Sequence, residues 1–136
     1  MSQYKETFQE LKSIVYKKTN GHCGYCGKKL ELNSKWHIEH MQPKSRRGSS
    51  NLDNLIPSCP TCNLNKNNKN PQEFKALIIA KTIKFIRYAM NDRLPKLLIY
   101  LSDEDGKRII KSCSALLEEI NNLNLKFYFE GNENGE

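Results

Sequence analysis

The chain has 136 residues, about one domain, with 38% apolar residues, a net charge of +7 and a mean hydropathy of −0.72. Such a chain is basic and polar and can bury only a modest core. Its longest apolar runs, residues 76–80 and 97–101, are too short to span a bilayer. The opening stretch MSQYKETFQELK lacks the apolar segment of a signal peptide. The expected location is therefore the cytoplasm, where thiols stay reduced and five cysteines point to metal rather than disulfides.

In chain order, Tyr4, Phe8, Leu11, Ile14 and Val15 recur at helical spacing, which predicts a helix over residues 3–18, stopped by Asn20-Gly21. HCGYCGKKL follows, a turn with one cysteine on each side of Gly24-Tyr25. Short strands are expected at residues 29–32 and 36–40, joined through Asn33-Ser34. Residues 41–50 read as a loop broken by Pro43, Gly48 and serines. Leu55-Ile56 reads as a brief extended piece. Pro60 suits the first turn of a helix that would run to about Lys69, with Pro71 as its end.

Beyond Pro71, residues 72–90 read as a second long helix with a broad apolar arc. Pro95 interrupts, and residues 96–101 could be strand or helical turn. Ser102 followed by Asp103, Glu104 and Asp105 signals a helix start with acids in its first turn. Ile109, Cys113, Leu116, Ile120 and Leu123 then form an apolar seam. Residues 125–129 could be a last strand, and 131–136 a frayed tail. Two parts are expected, 1–71 and a helical extension 72–136, with packing as one domain the alternative.

The charge is uneven. Residues 35–71 carry six basic side chains against two acidic ones, whereas residues 101–136 carry four against eight. A basic body suits a polyanion such as nucleic acid, and a solvated surface is the competing reading.

Two C-x-x-C pairs carry the strongest chemical signal: Cys23 with Cys26, and Cys59 with Cys62, with 32 residues between the pairs. Thiolates are soft ligands, and four of them suit a tetrahedral Zn²⁺ with no open position, hence a structural ion. It would pin the ends of the central segment together.

Between the pairs lie Glu39-His40 with Pro43, then Asp53-Asn54-Leu55, and after CPTC come Asn63 and Lys66. Read as E-H-x-x-P…D-N-L-x-P-x-C-x-x-C-N-x-x-K, this order resembles the HNH nuclease superfamily over about residues 21–69. The resemblance implies an α+β fold: a zinc-stapled ββα-metal nuclease core, here flanked by an N-terminal helix and C-terminal helices. It implies His40 as the general base that activates water, Asn54 as the residue that holds the loop and orients the base, and Glu39 and Asn63 as ligands of a catalytic metal. Oxygen donors suit Mg²⁺ or Mn²⁺. Adjacent residues of a regular strand face opposite ways, so joint use of Glu39 and His40 requires the strand to end or twist there.

Lys44, Arg46, Arg47, Lys66 and Lys69 are candidates for phosphate contacts. The implied activity is metal-dependent hydrolysis of DNA, most simply double-stranded. Two other readings are a non-catalytic zinc-bound nucleic-acid-binding module, and a nuclease effector whose residues 72–136 dock a protein partner or a second copy.

Overall fold

The computed structural model describes residues 2–131, and the side chains of residues 2–6, Tyr4 and Lys5 among them, lie outside that description. The expected frayed tail lies, from residue 132 on, outside the described residues. The protein is mixed helix with one small antiparallel sheet and a cysteine cluster, an α+β arrangement. No helix is long and apolar enough to cross a membrane among the described residues.

Helix α1 spans Ser2–Lys18 and packs on the sheet through Val15, which is fully buried. Asn20 and Gly21 both take left-handed backbone angles and turn the chain back. The sheet has two strands, β1 (His37–His40) and β2 (Leu55–Ser58), paired antiparallel with Glu39 opposite Ile56 and His40 opposite Leu55. Helix α2 (Pro60–Lys66) follows directly and packs against β1. Leu30, Trp36, Leu55 and Ile56 are buried around the sheet, and the Tyr16 hydroxyl donates to the Leu30 carbonyl at 2.8 Å.

The strand pairing differs from expectation. Residues 29–32 form no strand; Lys29 makes only an isolated bridge with His22. The partner of β1 is β2, reached across the loop 41–54. Leu55, Ile56, Pro57 and Ser58 are all buried, with α1 packed on β2 and the Gly24 turn pressed against Ile56 and Pro57.

Pro71 begins a helix rather than ending one. The Asn70 side chain accepts from the Glu73 N–H at 2.8 Å, and the proline ring needs no N–H in the first turn of α3 (Pro71–Tyr88). A widened turn over Ala89–Arg93 precedes α4 (Leu94–Leu98), where Pro95 cannot donate to the preceding turn. Residues 96–98 are therefore helical. Helix α5 (Asp103–Asn121) starts at Ser102, whose hydroxyl accepts from Asp105 N–H at 3.2 Å. Residues 125–129 are not a strand: Phe127 is buried, and α6 is a single turn over Tyr128–Gly131.

Two compact units result. One takes in the chain up to Phe74 and again from Lys126; the other is Lys75–Leu125. The first has an aromatic cluster in which the Tyr25 ring lies 5.3 Å from Phe74 and 4.9 Å from Phe127, both edge-on. The backbone N–H groups of Tyr128 and Phe129 donate to the carbonyls of Tyr25 and Gly24. The segment after residue 125 thus belongs to the unit that holds the cysteines, although the sequence grouped it with the helical extension.

Candidate metal centre and nuclease site

The first cysteine pair flanks a turn pressed against β2. A Cβ on Gly24 would lie 2.0 Å from Ile56, so only glycine allows this approach, and the Gly24 N–H donates to the Pro57 carbonyl at 2.8 Å. Cys59 caps α2, its sulfur accepting from Cys62 N–H at 3.4 Å, while its own N–H donates to Cys23 Sγ at 3.3 Å. All four sulfurs lie within 4.8 Å of one another, with Cys26 Sγ and Cys59 Sγ 3.9 Å apart. Thiolates about 2.3 Å from a tetrahedral Zn²⁺ stand about 3.8 Å from each other, so the set fits zinc. The hydrogen bond between Cys23 and Cys62 holds the Cys23 thiol below its ordinary range against the effect of burial, and pushes Cys62 up. Sulfurs so close cannot all ionise without a cation among them, which is what Zn²⁺ supplies.

Strand β1 leads from this centre to His40, which is half-buried, with its Nε2 3.1 Å from the Ser50 hydroxyl. Asn54 closes the loop between them. Its Oδ1 accepts from Gln42 N–H at 2.8 Å, and its Nδ2 donates to the carbonyls of Gln42 at 3.0 Å and Ser49 at 2.7 Å. Gly48 is required in the same loop, because a Cβ there would lie 1.8 Å from the Gln42 carbonyl oxygen. These three hydrogen bonds of the Asn54 side chain tie Gln42 and Ser49 together beside His40. Burial, then the charge of Lys44, holds the His40 imidazole below its usual pKa of 6.5, with Glu39 opposing and Lys66 adding to the fall. The ring is neutral at physiological pH, as a proton acceptor must be.

Glu39 leaves the strand on the other side. It is only 7% exposed, its Oε1 accepts from Lys66 Nζ at 2.7 Å, and its Oε2 accepts from the Tyr25 hydroxyl. Lys66, on α2, is fully buried and also donates to the His40 carbonyl at 3.1 Å. Burial, then the neighbouring Glu39 charge, pushes the Tyr25 phenol far above its usual range, so it remains a donor. β1 stays regular to its end, and Glu39 and His40 obey the alternation of a strand rather than sharing one cleft.

A cysteine cluster, an antiparallel strand pair and a following helix now stand together with a neutral histidine on the outer face. The family model described as HNH endonuclease matches residues 23–69. That match covers about a third of the chain and is what the cysteine turn, the strand pair and α2 are similar to. A search of the curated proteins finds no match to the chain. An HNH domain supports a nuclease or nucleic-acid-related function, and the four cysteines support zinc.

Two expected phosphate contacts are corrected or qualified by the geometry. Lys66 cannot meet a phosphate, because its ammonium is enclosed with Glu39 and the His40 carbonyl. Arg46 reaches both Glu73 oxygens through one nitrogen, at 2.6 and 2.7 Å, which leaves only part of its guanidinium for a ligand. Lys44 and Arg47 are exposed on the loop, Arg47 with a left-handed backbone, and Lys69 is half-exposed after α2.

The catalytic metal set fits less well than the zinc set. Mg²⁺ demands a near-octahedral cage of oxygens. The carboxylate of Glu39, expected as its acidic ligand, has both oxygens turned to Lys66 and Tyr25, while Asn63 sits half-buried on α2. In this arrangement Glu39 is the counter-ion of a buried lysine and does not fit a metal ligand. Among the described residues only the four cysteines converge as a group of three or more histidine, cysteine or carboxylate ligands. Sequence reasoning missed Tyr25 and the inward direction of Lys66. The available signal was strand alternation, which already sets Glu39 opposite His40.

Proposed function

We propose that the chain is an HNH-type endonuclease that hydrolyses phosphodiester bonds in DNA, with His40 taking the proton from the attacking water. One observation carries the reading: His40 is a neutral, half-exposed imidazole held by an asparagine-clamped loop with cationic side chains on it. Transfer to a neutral imidazole generates the nucleophile, and the resulting imidazolium faces Ser50. Lys44 and Arg47 would hold the phosphates beside the scissile bond, with Lys69 further along the backbone. Charge develops on the phosphate during the step, and Mg²⁺ or Mn²⁺ is the proposed cation to meet it. Asn63 is the oxygen donor on offer, while Glu39 is engaged by Lys66. The net charge of +7 supports a polyanion substrate, here proposed as double-stranded DNA in the cytoplasm.

The enclosure of Glu39 favours a second reading, a zinc-bound module that binds nucleic acid without cutting it. Incubation of the purified protein with supercoiled plasmid, with and without Mg²⁺, separates the two. The nuclease reading expects metal-dependent loss of supercoils that His40→Ala lowers by about 10²–10⁴-fold. Equal loss with wild type and His40→Ala would sink the mechanism, and retarded but uncut plasmid in both would establish the binding module.

A further inference from the structure

A fully buried lysine stands at the end of β1. Lys66 lies on α2 and donates to Glu39 Oε1 at 2.7 Å and to the His40 carbonyl at 3.1 Å. Glu39 is itself buried, and its other oxygen takes the hydroxyl of Tyr25, which is buried too. Tyr25 sits between Cys23 and Cys26 in the first C-x-x-C turn. A continuous buried chain therefore runs from the cysteine turn through Tyr25, Glu39 and Lys66 to the backbone of His40. The Lys66 ammonium also lies over the Tyr25 ring, 6.0 Å from its centre.

Stability does not explain the ammonium. Two charges lose their hydration on burial, and apolar side chains of similar volume often fill such a space as stably or more so. What the ion pair adds is direction, because the ammonium holds one carbonyl, that of His40. The His40 imidazole is half-buried, and its Nε2 meets the hydroxyl of Ser50, an exposed residue of the loop, at 3.1 Å. A side chain's rotamer depends on the backbone angles beneath it, so a fixed carbonyl sets the direction of the ring. We propose that Lys66 is a positioning residue: it anchors the His40 carbonyl and, through Glu39 and Tyr25, ties the place of the imidazole to the zinc turn. Its effect on rate rests on the nuclease reading, whereas the anchor itself does not. Lys66 is enclosed and does not reach phosphate, so its loss acts on the chemical step and not on DNA binding.

The test uses the full zinc-loaded chain carrying Lys66→Met with Glu39→Leu, which exchanges the buried pair for apolar side chains. Tyr25→Phe, which keeps the ring and drops one hydrogen bond, is the second variant. Urea unfolding and zinc content check the fold. Single-turnover cleavage of duplex DNA at saturating Mg²⁺ should fall about 10²-fold in the double variant, the loss that a misplacement of about 1 Å brings. Tyr25→Phe should lower it by a smaller factor. The Kd for the same duplex, and the Mg²⁺ concentration that gives half the maximal rate, should stay as in wild type. A folded double variant that cuts at the wild-type rate overturns the proposal. So does a loss that lies wholly in Kd, which would make Lys66 a phosphate contact, or wholly in the Mg²⁺ requirement, which would make Glu39 a metal ligand. Amide exchange reads the anchor without cleavage. The Met41 N–H donates to the Asn54 carbonyl at 2.9 Å and should exchange at least about tenfold faster in the double variant. The Cys23 N–H, bound to the Lys28 carbonyl at 2.8 Å, should not change. If the double variant does not fold, Tyr25→Phe decides, and a wild-type cleavage rate with wild-type Met41 exchange in it overturns the proposal. A wild type that leaves the duplex uncut fails the nuclease reading alone; unchanged Met41 exchange overturns the anchor.

Discussion

The chain up to Phe74, with its return from Lys126, buries Val15, Trp36, Ile56 and Phe127, whereas residues 75–125 bury no apolar side chain. Both stretches have clear helix signals, so propensity does not separate them. The first unit adds long-range constraints: four cysteines on one centre, four aromatic rings in contact, and a buried Lys66–Glu39 pair. The second shows local devices, such as the Ser102 cap and the (i, i+3) and (i, i+4) ion pairs. Local devices make helices; they do not make a core.

The largest break in that contrast is removal of zinc. Chelation, or Cys59→Ser, should cost the first unit on the order of 10 kcal/mol and abolish its aromatic near-ultraviolet signal. A Tyr25–Phe74–Phe127 signal that outlasts demonstrated zinc loss would mean that the staple is dispensable.

Next comes Lys66→Met, which strands a buried carboxylate and should cost about 3–5 kcal/mol in urea unfolding. Adding Glu39→Leu should recover much of that loss, because it removes the stranded charge. If Lys66→Met alone is neutral, the pair does not hold the end of β1.

Core truncation compares the units directly. Phe74→Ala should cost about 3–5 kcal/mol at any protein concentration. Leu116→Ala, at a half-exposed position, should cost under about 1 kcal/mol. Equal costs would erase the distinction between the units.

The smallest effect is on pH. The folded pKa of His40 lies below 6.5, so activity should hold as pH falls to 6.5 and drop only as it passes through the lower folded value. Lys44→Ala removes one cause of that depression and should move the acidic limb upward, toward 6.5. A wild-type limb above 6.5 in a pH–rate profile would contradict the described environment.

The zinc centre was legible because ligand chemistry writes itself into spacing: two C-x-x-C pairs with glycines beside them have few other uses. α1 and the α5 start were legible through periodicity and the Ser102 cap. The partner of β1 was not, because residues 29–32 alternate charged and apolar like a strand while 55–58 are broken by Pro57, and burial rather than pattern chose between them. Lys66 misled because its charge and position suggest a phosphate contact, and only the packing of α2 on β1 shows it enclosed. Pro71 misled because proline ends one helix and begins another with equal ease, and the deciding partner was Asn70. Phe127 and Phe129 read as a strand because three adjacent rings carry no helical period.

The return of residues 127–129 to the cysteine turn also sets an order of events during synthesis. Tyr25 meets Phe127 and Phe129 only across about a hundred residues of chain, and the whole of Lys75–Leu125 must leave the ribosome first. Contacts of such sequence separation form late and slowly. The four clustered cysteines, complete by Cys62, can take up their ion well before then. A nascent chain stopped at Leu125 would therefore hold zinc with the edges of Tyr25 and Phe74 still bare, a form that chaperones recognise and proteases cut.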